Sequence, residues 1–101
     1  MEDYKVIDHY LCVKLPEEVD HHKSEAICRN ADRLIASQQV NNVVFDFEDT
    51  KFMDSSGVGI IIGRYKKISC FGGKVFAIHA DRQIRRILQM SGLNKIIEIM
   101  E

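Results

Sequence analysis

The chain lacks an excess of either charge. Its 101 residues carry 14 lysines and arginines against 15 aspartates and glutamates. A protein that binds nucleic acid by neutralising phosphates needs a strong positive balance, so the composition argues against that class. Four cations gather late in the chain: Arg82, Arg85, Arg86 and Lys95. A solvated helix face explains them more simply. We predict no direct nucleic-acid partner.

Paired cysteines and long apolar runs are also missing. The cysteines Cys12, Cys28 and Cys70 are odd in number and include no Cys-x-x-Cys pair. This pattern indicates free thiols in a reducing compartment and gives no support to a zinc or thioredoxin-like site. No apolar run approaches the length of a membrane span, and the N-terminus lacks a signal-peptide pattern. We therefore expect a cytoplasmic protein without membrane contact.

The chain does contain alternating strand and helix patterns. Apolar residues make up 46% of it, which favours a folded core. Strands are predicted at 4–8, 10–15, 43–47, 74–79 and 96–100, and the loop 48–54 connects the third strand to the second helix. Helices are predicted from the cap Asp20 to about Gln38, from Ser55 to Cys70, and from the cap Asp81 to Ser91-Gly92. The order β-β-α-β-α-β-α-β predicts one α/β domain over residues 1–101 with a small mixed sheet.

The stretch 52–59, Phe-Met-Asp-Ser-Ser-Gly-Val-Gly, places two hydroxyls and a carboxylate at the start of the second helix. Helix starts leave backbone N–H groups unpaired and carry partial positive charge, so they attract anions. A phosphate attached to a serine there would meet that charge. The motif therefore suggests a phosphorylation switch.

Two nucleotide-binding loops and a catalytic serine are alternative interpretations of this stretch, and the motif fits none of the three. A dinucleotide loop needs a third glycine three residues after the second, but Gly63 follows Gly59 by four. No Gly-Lys-Ser/Thr triplet exists, which excludes a P-loop. Ser55 has Gly57 after it but Met53 before it, so half of the nucleophile-elbow pattern is missing. We predict no enzymatic activity, no cofactor and no metal site.

The faces of the second helix suggest a surface patch. At about 100° per residue, one side carries the predicted core stripe: Val58, Ile61, Ile62, Tyr65 and Ile68. The opposite side carries Ser56, Ile60, Gly63, Arg64 and Lys67. On that side Ile60 is either a lone exposed apolar residue or the anchor of a partner-binding patch in which Gly63 permits close approach.

Three elements of the chain, residues 18–22, residues 52–59 followed by 63–66, and residues 90–97, together resemble the anti-sigma factor antagonists of the STAS domain family. The resemblance implies a small sheet with helices packed largely on one face. It also implies a partner, an anti-sigma factor that is a serine kinase, which the unphosphorylated antagonist binds so that the sigma factor is freed. Phosphorylation would end that binding, and a metal-dependent, PP2C-like phosphatase would restore it.

The resemblance also assigns roles to residues. By motif position Ser55 is the expected phosphoacceptor, and Glu18 and Asp20 are expected partner contacts. Asp54 either caps the helix or orients Ser55 for the kinase, and the sequence leaves both roles open. For Ser56, local hydrogen bonding is the simpler interpretation, with a partner contact as the alternative.

The chain departs from the family pattern in two places. Glu17 stands where the family usually has a glycine, which removes an easy turn position. Relatives also continue into a final helix, whereas this chain ends at Glu101. A STAS scaffold or small-ligand sensor in another signalling complex is the alternative function.

Overall fold

Strands and helices alternate along the computed structural model, which describes residues 3–101. The elements are β1 Tyr4–Ile7, β2 Tyr10–Lys14, β3 Glu18–Val19, α1 His21–Ser37, β4 Asn42–Asp46, β5 Phe52–Met53, α2 Ser55–Ser69, β6 Val75–Ile78, α3 Arg82–Met90, a 3-10 helix Leu93–Lys95 and β7 Glu98–Ile99. The predicted α/β class and the order of the long elements are confirmed.

Five strands form one mixed sheet in the order β1-β2-β4-β6-β7. Strands β1 and β2 make an antiparallel hairpin, and both turn residues, Asp8 and His9, have positive φ angles of 50° and 69°. Positive φ at both positions matches the twist of a two-residue hairpin. The remaining pairs in this sheet are parallel, with a helix in each connection. The predicted mixed sheet is therefore confirmed.

The core lies between this sheet and the helices. Alternate residues of β2, β4 and β6 are fully buried: Leu11, Val13, Val43, Phe45, Val75 and Ala77. The residues between them, such as Cys12, Val44 and Phe76, are only half-buried. This alternation places the helices largely on one face, as expected.

Each α-helix begins at an aspartate cap. The side chains of Asp20, Asp54 and Asp81 accept hydrogen bonds from first-turn N–H groups of α1, α2 and α3. After α2 the chain turns at Gly72, where φ is +80°, and a side chain at Gly73 would collide with the carbonyl oxygen of Asn41. Both predicted boundaries of α2 are therefore explained. Among the described residues, no helix is both long and apolar enough to cross a membrane.

Several predicted boundaries are wrong. Strands β3 and β5, of two residues each, form a separate parallel sheet, and β5 lies where the sequence predicts the loop 48–54. So short a strand shows no alternation that a sequence pattern could reveal. The final strand is Glu98–Ile99 rather than 96–100, because the chain first makes the 3-10 helix.

The three thiols are free, and we expect them to differ in reactivity. Burial, together with the nearby Asp46 carboxylate, raises the pKa of the Cys12 thiol, so less of it is thiolate at a given pH. Cys70 is exposed on the surface. In the folded protein at pH 8, iodoacetamide should label Cys70 well before Cys12, as mass spectrometry of timed samples would reveal. Equal labelling rates would contradict the burial of Cys12.

Candidate functional site

Ser55 is the first residue of α2 and its side chain is exposed to solvent. The cap position before it is already filled by Asp54, whose Oδ1 accepts a 2.8 Å hydrogen bond from the N–H of Ser56. The Asp54 carbonyl oxygen also accepts from Gly57 N–H at 3.0 Å. Within residues 3–101 the Ser55 hydroxyl makes no hydrogen bond. It can therefore be modified without breaking an internal contact of the fold.

Two helix starts lie side by side at this site. Strands β3 and β5 are parallel, with Glu18 opposite Phe52 and Val19 opposite Met53, and each strand leads through one aspartate cap into a helix. The N–H of Asp54 donates to the carbonyl oxygen of Val19 at 3.2 Å, which joins the two cap regions. We call the side of the molecule formed by β3, β5 and these two helix starts the serine edge. Because α1 and α2 both run away from it, the partial positive charges of both N-termini lie near Ser55.

A glycine fixes how β5 and α2 meet. Met53 is 2% exposed and packs under the first turn of α2, where a side chain on Gly57 would come within 2.8 Å of Met53 Cγ. The glycine after the two serines is therefore needed for packing, because any larger residue would push the Met53 side chain aside.

The predicted outer face of α2 is partly wrong. Ile60 is 1% exposed and Arg64 is 7% exposed, so neither is available to a partner. The buried stripe of this helix consists of Gly57, Ile60, Ile61, Arg64 and Ile68. It is rotated by about one residue from the predicted stripe; Val58, Ile62 and Tyr65 are only half-buried. The predicted anchor of the patch is thus a core residue.

Arg64 is buried because α1 supplies a countercharge. Its Nε lies 3.0 Å from Oδ1 of Asp32, and Lys67 Nζ lies 3.9 Å from the other oxygen of the same carboxylate. Asp32 stands twelve residues after the cap Asp20, and Arg64 stands ten after the cap Asp54. The two charged residues thus lie at similar distances from the starts of their helices, and the ion pair joins the parallel helices α1 and α2. A pattern that scores arginine as polar cannot anticipate this burial.

The other predicted site residues remain near the surface. Glu18 is exposed, while Asp20, Asp54 and Ser56 are half-buried at the two helix starts. Gly63 is half-buried with open space where a side chain would stand, and it lies two turns along α2 from Ser55. The structure thus places Glu18, Asp20, Asp54 and Ser56 at two adjacent strand-to-helix junctions, one of which carries Ser55, with Gly63 farther along α2.

Sequence reasoning missed one exposed residue of this edge. Phe52, three residues before Ser55, is 47% exposed and stands opposite Glu18 across the small sheet. Its neighbour Met53 points into the core, as the alternation of a strand requires. Had β5 been recognised as a strand, that alternation would have placed Phe52 outside.

A separate polar cluster lies at the ends of β4 and β6. Ligand-type atoms of Asp46, Glu48 and His79 lie within 4.8 Å of one another. His79 Nδ1 is 2.9 Å from Asp46 Oδ1, and Lys14 Nζ is 3.3 Å from a Glu48 oxygen. These contacts satisfy the groups within the protein. His79 is thus tied to the end of the neighbouring strand within the protein.

Comparison with known proteins gives the family to which this fold belongs. A family model described as the STAS domain matches residues 3–101. The chain belongs to the STAS domain family.

Several members of that family to which the chain is similar are anti-sigma factor antagonists. The chain is 40% identical over 91 residues to an anti-sigma F factor antagonist of Paenibacillus polymyxa, covering 90% of this chain and 78% of that protein. The structure of the anti-sigma factor antagonist SpoIIAA in its unphosphorylated form is similar with a TM-score of 0.79 at 25% identity, over 97% of this chain and 86% of that one. The phosphorylated form of the Bacillus cell fate determinant SpoIIAA gives a TM-score of 0.75 at 28% identity, over 97% and 91%.

Proposed function

We propose that this protein is an anti-sigma factor antagonist that phosphorylation of Ser55 switches off. The single observation that carries the proposal is the position of Ser55: an exposed, internally unbonded hydroxyl at the start of α2, on an edge formed by two helix N-termini. The likeness to antagonists whose structures exist in unphosphorylated and phosphorylated forms supports it. In this proposal the protein is a binding module and not a catalyst.

The switch follows from the charge that a phosphate adds. Phosphoserine carries about −1.5 to −2 charges at neutral pH. An exposed helix start stabilises a nearby negative charge by only about 0.3–1 kcal/mol. Asp54 already occupies the cap, so the phosphate does not need to replace any hydrogen bond of the fold. The phosphate therefore leaves the fold unchanged. It acts in the complex, where an anion inside an interface formed with a neutral serine brings desolvation and repulsion.

The proposal implies two protein partners. The first is an anti-sigma factor with serine kinase activity, which the unphosphorylated form binds so that the sigma factor is freed. The second is a PP2C-like phosphatase that removes the phosphate again. Glu18, Asp20, Asp54 and Ser56 are the proposed contacts around Ser55. The free thiols agree with a cytoplasmic location, which we include in the proposal.

Phosphate transfer tests the proposal. The protein is incubated with ATP and the anti-sigma factor kinase encoded next to it in its genome, and the product is mapped by peptide mass spectrometry. We expect one phosphate, on Ser55. The variant Ser55→Ala should accept none, while Ser37→Ala, at the far end of α1, should be phosphorylated like the parent. Transfer to another residue, or no transfer, would contradict the assignment of Ser55.

Gly63 provides a test of close approach by a partner. A glycine inside a helix costs about 0.5–1 kcal/mol relative to alanine, and at both Gly59 and Gly63 a side chain would meet open space. Gly63→Ala and Gly59→Ala should each raise the free energy of unfolding by about that amount, measured by urea denaturation. If a partner approaches α2 at Gly63, Gly63→Ala should also weaken binding. Unchanged affinity in a stabilised Gly63→Ala protein would remove Gly63 from the interface.

A further inference from the structure

The outward face of the two-stranded sheet carries an apolar side chain beside an acidic one. Residues along β3 and β5 alternate, so Val19 and Met53 are buried while the opposite pair, Glu18 and Phe52, faces solvent. Phe52 is 47% exposed although its strand neighbour is 2% exposed. A large aromatic ring left half in water contributes little to the core, and such rings are typical anchors of protein interfaces.

The chemistry around Phe52 is predominantly acidic. Glu17 and Glu18 precede α1, and Asp20 and Asp54 cap the two helices that follow the strands. Lys51, beside Phe52, is the one cation within segments 17–20 and 51–54. A partner surface that matches this edge therefore has an apolar pocket with lysines or arginines at its rim.

The Phe52–Glu18 surface is also continuous with the switch. Phe52 precedes Ser55 by three residues, and the Asp54 N–H that bonds to Val19 ties β5 to the strand that carries Glu18. The buried position of Ile60 removes the anchor that the sequence suggested, whereas Phe52 lies on the same edge as the phosphoacceptor. The ring therefore belongs to the short strand that leads directly into the helix start carrying Ser55.

We propose that Phe52 is the apolar anchor by which this chain docks into a basic-rimmed pocket of the anti-sigma factor kinase, with Glu18 pairing to that rim. This inference rests on the proposed function, because it assumes the same partner. It identifies Phe52 as the residue that contributes most of the affinity, whereas phosphorylation of Ser55 determines whether the complex forms. The anchor holds the serine edge against the partner in the unphosphorylated state.

Calorimetric titration of the kinase with variants of the full chain tests the anchor. Phe52→Ala should raise the Kd about 30-fold, the size expected for a central interface residue. Phe71→Ala is the matched control, since Phe71 is 82% exposed but follows the far end of α2, and its Kd should stay within twofold. Circular dichroism and urea unfolding verify that both variants are folded.

A second variant, Glu18→Lys, tests the same surface without changing Phe52, so a folding defect caused by the loss of the ring cannot affect the result. Glu18→Lys leaves the ring in place and should weaken binding about tenfold at low salt, with a smaller loss at 0.5 M salt because the contact is ionic. Glu25→Lys, on the exposed side of α1, is its control and should have little effect.

Three results would overturn the proposal. If Phe52→Ala and Glu18→Lys both bind like the parent while Ser55→Asp does not, the docking surface is wrong and the proposed function stands. If Phe52→Ala abolishes only self-association of this chain in sedimentation, the ring serves a second copy instead. If the unmodified protein does not bind the kinase at all, the docking surface and the proposed function fail together.

Discussion

Replacing Ser55 with aspartate should reduce affinity for the anti-sigma factor more than a hundredfold. An interface built around a neutral hydroxyl must desolvate the new carboxylate, and a loss of about 3 kcal/mol corresponds to more than two decades in Kd. Asp20 and Asp54 already stand at this edge, so the variant adds charge where two carboxylates are present. The two helix N-termini offset only part of that charge.

The same variant should leave the fold intact. Aspartate is favoured in the first turn of a helix, and the Ser55 side chain is exposed and internally unbonded. Surface plasmon resonance for binding and urea unfolding for stability separate the two effects. Ser55→Ala should bind like the parent and resist inactivation by kinase and ATP. Ser37→Asp, at the other end of α1, controls for added charge. Wild-type affinity in folded Ser55→Asp would contradict the switch.

Asp32→Ala should lower the free energy of unfolding by about 3 kcal/mol. The change leaves the guanidinium of Arg64, which is 7% exposed, without the carboxylate that lies 3.0 Å from its Nε. Removing one member of a buried pair is costly because the other charge stays buried. The reverse change, Arg64→Met, should cost less, because the Asp32 side chain is 34% exposed and can be hydrated by water.

The double variant makes this prediction specific. With Asp32→Ala and Arg64→Met together no charge is left buried, so the protein should be more stable than Asp32→Ala alone. Glu25→Ala serves as control, since its ion pair with Arg29 is exposed and should contribute less than about 0.5 kcal/mol. Equal effects of Asp32→Ala and Glu25→Ala would mean that Arg64 is not buried as described.

The long elements could be predicted because their signals are local. Asp20, Asp54 and Asp81 each mark a helix start within four residues, and Gly72-Gly73 marks an end. The alternation of Leu11, Val13 and Leu15 identifies a strand without any partner. The hydroxyl-rich start of α2 was visible in the same way, whereas the choice of Ser55 as phosphoacceptor came from the resemblance to the STAS family.

The rest depends on contacts between distant segments. Arg64 is inside because Asp32 on another helix neutralises it, and no window around residue 64 contains that information. Strands β3 and β5 exist because Val19 and Met53 pair across 34 residues. The same pairing turns Phe52 outward. The sequence therefore placed Ile60 on the outer face of α2, where it is in fact buried, and it gave no sign that Phe52 is exposed.

The most direct measurement compares the affinity of one preparation before and after phosphorylation. The protein is phosphorylated on Ser55 by its kinase, purified to a single phosphoform, and titrated with the anti-sigma factor; an aliquot is then dephosphorylated and titrated again. We expect the Kd to rise more than a hundredfold with the phosphate and to return fully when it is removed. An unchanged Kd across the three samples would contradict the central claim that one phosphate at the start of α2 ends binding.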